Sequence, residues 1–117
     1  MELVAFAGKD RENWGQISAL VSRGEWSKVV IVKNKAVENY ENPLDAKVIA
    51  INCDKPLVEL KKEMMEKLKQ ELGELEVALS IASGNGKEHM ALISALLSLP
   101  VGIRLAAFTK EGVEFVN

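Results

Sequence analysis

Histidine and cysteine occur once each, as His89 and Cys53, so a zinc site built from these side chains is not expected and no internal disulfide can close. An unpaired cysteine fits a reducing compartment. Aromatic residues make up only 5% of the chain, which predicts a core of Val, Ile, Leu and Ala. Positive charge is not in excess: 15 basic against 17 acidic residues leave a net charge of -2. That balance gives no electrostatic reason to bind duplex nucleic acid or an anionic membrane, so an anionic ligand would have to be held by local groups. No stretch approaches the roughly 20 apolar residues that span a bilayer. The amino terminus, "MELVAFAGKD", lacks a basic region leading into a long apolar core and does not read as a signal peptide. A cytoplasmic protein is the expectation. Repeats and low-complexity segments are also missing.

What is present suits one domain, residues 1–117: 48% of the 117 residues are hydrophobic, enough for a core of its own. Leu3 to Ala7 is a short apolar run closed by Gly8, and Trp14, Ile17, Leu20 and Val21 recur at helical spacing before Gly24. "KVVIVKN" (Lys28 to Asn34) and "AKVIAINC" (Ala46 to Cys53) are rich in β-branched residues and almost continuously apolar, as strands buried on both faces are. Asn42-Pro43 marks the irregular connection between them. Asp54 is placed to cap a helix with Pro56 in its first turn and a stripe of Leu57, Leu60, Met64, Leu68 and Leu72; Gly73 stops it. Its opposite face, with Lys61, Lys62, Glu63, Glu66, Lys69 and Glu71, reads as solvated. Glu76 to Ala82 is the next strand, Glu88 to Leu99 the next helix and Ile103 to Phe108 the next strand. Glu111-Gly112 then turns the chain into a last antiparallel strand, Val113 to Val116.

Alternating strands and helices predict an α/β fold, a three-layer Rossmann-like and mostly parallel sheet. Because crossovers are right-handed, helices can cover both faces only if the chain moves outward in both directions from a central strand. The expected order is 3-2-1-4-5, with the C-terminal antiparallel hairpin at the edge. The order reverses between the first and fourth strands, where ligands of such sheets bind. Two loops meet there: "GKDREN" (Gly8 to Asn13) and "SGNGKEH" (Ser83 to His89). Gly84 and Gly86 permit unusual backbone angles, and the following helix offers free amides to a phosphate or carboxylate. Ser83 and Asn85 can add hydrogen bonds, and Lys87, Lys9 and Arg11 positive charge; Asp10, Glu12 and Asn13 can contact sugar or base.

Neither the spacing of a Walker A loop nor the three-glycine dinucleotide pattern is present. The same residues also suit a tight strand-to-helix turn, with Ser83 or Asn85 serving only as a cap. His89 admits a chemical or a structural role. Cys53 reads either as a thiol activated beside a helix start or as a small buried core residue. Trp14 and Trp26 read as packing residues. The helix Glu88 to Leu99 is polar only at Ser94 and Ser98 after Met90, so almost every side needs cover, and a second copy of the chain is the expected partner.

This arrangement, with "SGNGKEHMALISALLSL" leading from the fourth strand into an apolar helix, resembles the CRISPR-associated Rossmann fold (CARF) sensor domains. The likeness covers nearly the whole chain in element order, and Ser83-Gly84-Asn85-Gly86-Lys87 in motif. It implies a homodimer that binds a cyclic oligoadenylate or related nucleotide across its axis. Contacts would come from Ser83, Gly84, Asn85, Gly86 and Lys87, and from Gly8, Lys9 and Asp10. No metal and no cofactor are implied, and no catalytic residue is assigned. With no winged-helix or ribonuclease domain after Asn117, such a sensor is expected to act through a partner, compete for the messenger, or cleave it. Metal-independent cleavage would need Ser83 and Lys87 to position a ribose hydroxyl and stabilise the phosphate. A ligand-free interaction or scaffold protein is the remaining alternative.

Overall fold

The strand β1, Glu2–Ala7, has all six residues buried, and the computed structural model, which describes Met1 to Asn117 in full, is laid out around it. Successive side chains of a strand point to opposite faces, so one apolar run feeds two cores. Leu3, Ala5 and Ala7 join Ile17 and Leu20 of helix α1 (Trp14–Arg23) on one face. Val4 and Phe6 join Leu60, Met64 and Leu68 of α2 (Leu57–Glu71), and Ala91, Leu92, Ala95 and Leu96 of α3 (Gly86–Leu97), on the other. The remaining strands are β2 (Lys28–Asn34), β3 (Lys47–Ile51), β4 (Glu76–Ser80), β5 (Gly102–Thr109) and β6 (Gly112–Phe115). The sheet order is β3-β2-β1-β4-β5-β6, parallel throughout except for the antiparallel β5–β6 hairpin. This is the expected three-layer Rossmann-like α/β fold, with the expected reversal at β1 and β4. No helix is long and apolar enough to cross a membrane.

Element ends differ from the sequence reading for local reasons. β4 stops at Ser80 rather than Ala82, because its last paired residue is Ser80, opposite Ala5. β3 ends at Ile51, and Asn52 and Cys53 already belong to the turn. Asp54 does not cap α2. Pro56 is the N-cap, in an extended conformation with ψ 148°, and its carbonyl accepts the first helical bond from Leu60 N–H at 2.9 Å. α3 begins at Gly86, two residues early, because Asn85 and Glu88 form a capping box. It ends at Leu97, where the Ser98 and Leu99 amides tighten onto Ala95 and Leu96 before Pro100.

α3 is not enclosed on every side. Met90 is 59% exposed and Leu97 71%, with the partly buried Ile93 between them. Met90 and Leu97 therefore face away from the chain's own core, while Ile93 packs against it.

A charged residue is enclosed at the other end of the central strand. Glu2 is 5% exposed, and its carboxylate accepts the Gly73 and Glu74 amides at 3.0 Å each, tying the end of α2 to the start of β1. Removing the acceptor leaves both amides, which lie on exposed residues, to solvent, so Glu2→Ala is expected to destabilise by about 1 kcal/mol, the net worth of the lost hydrogen bonds. Urea unfolding followed by tryptophan fluorescence measures this; an unchanged midpoint would show that water replaces the carboxylate without loss.

Candidate functional site

β1 runs on past the end of β4, and the polar groups beyond that end need other partners. Ala5 faces Ser80 in the ladder, so three residues further Gly8 comes opposite Ser83. The chain here is loop, and the Ser83 hydroxyl takes over the ladder's role by accepting the Gly8 amide at 2.8 Å. The same hydroxyl donates to Asp10 Oδ1 at 2.7 Å. Asp10 Oδ1 also accepts the Gly84 amide at 2.9 Å, and Oδ2 accepts Asn13 Nδ2 at 2.7 Å. Trp14 Nε1 donates to the Gly8 carbonyl at 2.8 Å. His89 Nε2 lies 2.7 Å from the Ser83 carbonyl, which can only accept, so Nε2 carries the proton.

This stitching leaves no room for side chains at two positions. A Cβ on Gly8 would stand 2.6 Å from Gly84 Cα. Gly84 has φ +110°, and a Cβ there would stand 2.8 Å from Phe6 Cδ1 and 2.9 Å from His89 Nε2. Gly86 is different: a Cβ there meets nothing within 4 Å. Of the two glycines in the loop, only Gly84 is demanded by packing and backbone angle.

A second network holds the start of α3. Asn85 Oδ1 accepts the Glu88 amide at 2.8 Å, and Glu88 Oε1 accepts the Asn85 amide at 2.9 Å. Glu88 is only 3% exposed, and its other oxygen accepts Asn34 Nδ2, from the end of β2, at 2.8 Å. Lys87 reaches sideways to donate to the Cys53 carbonyl at 2.9 Å. The capping box uses the third amide of α3; those of Gly86 and Lys87 have no acceptor in the chain.

Between these loops lies a polar cleft of about 210 Å³ at the carboxyl ends of the parallel strands. Lys9 and Asp10 line it from β1, Asn34 from β2, Cys53 and Asp54 from β3, and Gly84, Asn85 and Glu88 from the β4–α3 turn. Of the residues expected to bind, Lys9, Asp10, Gly84 and Asn85 reach the cleft. Gly8 and Ser83 are buried behind it, and Gly86 and Lys87 stand on the exposed first turn of α3. Arg11 stacks over Trp14 instead, its guanidinium 5.5 Å from the ring centre. Asn34, Asp54 and Glu88 were not singled out from sequence as cleft residues, because only the fold brings β2, β3 and α3 together. Cys53 is a buried thiol whose pKa is pushed up to about 12, first by burial and then by Glu88, so it stays protonated at neutral pH. No three His, Cys, Asp or Glu side chains gather as a metal site. No protein-family model matches the chain, and no curated protein matches it.

Burial opposes the charge on Asp10, but the hydrogen bonds from Asn13, Ser83 and Gly84 together outweigh it and hold the carboxyl below its ordinary value. A depressed carboxyl contributes stability that is fully present above the unfolded Asp value of about 4 and is lost as pH falls through the folded value. Asp10→Asn is therefore expected to be less stable than the parent at neutral pH, with the gap narrowing below about pH 4. Denaturant midpoints measured from neutral to acid pH test this; a gap independent of pH would remove the ionised carboxylate from the account.

Proposed function

We propose that this chain is a nucleotide-sensing module that binds a cyclic oligoadenylate or related nucleotide in the cleft between the loops after β1 and β4. The observation that carries the reading is the position of that polar cleft, at the reversal of strand order, beside a lysine with no partner in the chain. The Lys9 ammonium makes no hydrogen bond or ion pair within the chain, so it is available to a phosphate. Binding is favoured over cleavage: the Ser83 hydroxyl is fully buried and spent on Gly8 and Asp10, and Lys87 is turned to the Cys53 carbonyl.

Calorimetric titration with cyclic tri-, tetra- and hexa-adenylates tests the proposal. One ring is expected to bind, and Lys9→Ala to weaken it about tenfold, the loss of one charge-assisted contact worth roughly 1.4 kcal/mol. Absence of heat with every ring sinks the reading.

The module is proposed to work as a homodimer through α3. Its exposed stripe, Met90 and Leu97, lacks cover, and the cleft is smaller than the usual ligand pocket of roughly 300–1,000 Å³, as a half-site would be. A ligand-free scaffold has the same stripe in its favour. Sedimentation is expected to give twice the chain mass for the parent and the single mass for Leu97→Glu. A monomeric parent excludes the dimer, whereas a dimer that binds no ring leaves the scaffold reading standing.

A further inference from the structure

Three carboxylates line the cleft, and the fold has uses for two of them. Asp10 receives Ser83, Gly84 and Asn13, and Glu88 receives Asn85 and Asn34. Asp54 alone is exposed, with a carboxylate that makes no hydrogen bond or ion pair in the chain. Its structural employment has gone elsewhere, since Pro56 occupies the N-cap of α2. Only its main chain is fixed, by the Asp54 amide donating to Asn52 Oδ1 at 3.0 Å. The cleft thus has one free cation, Lys9 on the β1 loop, and one free carboxylate, Asp54 on the β3 loop. β2 lies between β1 and β3, so the strands that carry these two loops are about 10 Å apart, two strand spacings.

A ligand suited to this pair presents an anion at one end and a hydrogen-bond donor at the other. A nucleotide has both, with the phosphate toward Lys9 and the ribose toward Asp54. Carboxylates accept ribose hydroxyls well because they have several lone pairs and no donor of their own. In a ring closed through 3′ and 5′ oxygens, the 2′-hydroxyl is the one sugar donor left. We propose that Asp54 accepts the 2′-hydroxyl of the bound nucleotide and makes the cleft selective for ribonucleotides over their 2′-deoxy counterparts. The proposal rests on the nucleotide reading given above.

The test is calorimetric titration of the full chain with cyclic tetra- and hexa-adenylate and with the all-2′-deoxy form of each, in the parent and in Asp54→Ala. For the parent, the ribose ring is expected to bind about tenfold more tightly than the deoxy ring, the worth of one charge-assisted hydrogen bond. Asp54→Ala is expected to bring that ratio close to one by weakening only the ribose ring, without lowering the thermal midpoint. Equal affinity of the parent for both forms, or a ratio unchanged in Asp54→Ala, overturns the role of Asp54 and leaves the nucleotide reading intact. If Asp54→Ala weakens both forms equally, the carboxylate does not read the sugar. If no ring binds but L-alanine does, the two charges hold a zwitterion, and both readings fall.

Discussion

The site depends on one carboxylate, Asp10, and on where β4 ends. A parallel strand that stops short leaves its longer neighbour with an unpaired backbone donor, and a buried orphan of that kind costs as much as a lost hydrogen bond. Here the orphan is the Gly8 amide, and the Ser83 hydroxyl meets it. Ser83 can hold that position only if its own proton has somewhere to go, and Asp10 supplies the acceptor while also taking the Gly84 amide. Three residues thereby bring two loops so close that Gly8 and Gly84 have no space for side chains. Positive φ at Gly84 follows from this approach, since the chain must turn sharply between the Ser83 anchor and the Asn85 cap. The cleft is what remains between the stitched loops and the end of β3.

Two kinds of polar residue therefore meet at the cleft. Ser83, Asp10, Asn85 and Glu88 have their hydrogen-bonding capacity largely taken up within the fold, so their presence is explained without a ligand. Lys9 and Asp54 are not explained in this way. A charged group held at a cleft with no internal partner adds nothing to stability that the fold itself requires, and this distinguishes them more sharply than residue type does.

The same distinction marks what the sequence could disclose. Element order, the parallel sheet and the reversal at β1 and β4 follow from apolar runs and the handedness of crossovers, and none of these depends on individual side-chain contacts. The position of the two loops could therefore be read, and with it Lys9, Asp10, Gly84 and Asn85. The inward turn of Ser83 could not, because it depends on β4 ending at Ser80 while β1 continues to Ala7. Asp54 resembled a helix cap because Asp with Pro in the turn that follows usually suits one, yet the extended conformation of Pro56 moves the cap two residues on. The bond from Asn34 to Glu88 spans 54 positions, and no local pattern encodes it.

α3 joins the cleft to the exposed apolar side chains on the outside of the domain. Its first turn borders the cleft through Glu88, and its outer face carries Met90 and Leu97 on the same rigid element of 12 residues. If a second copy packs on that face, any shift of the helix is felt both at the cleft and at the contact between copies. A ligand that prefers one position of α3 must then change the affinity of the copies for each other, and association must change ligand affinity by the same factor. The capping box is the mechanical link, because Asn85 lines the cleft and its side chain holds the helix amide of Glu88 directly. If both occur, binding and association are two readings of one helix position.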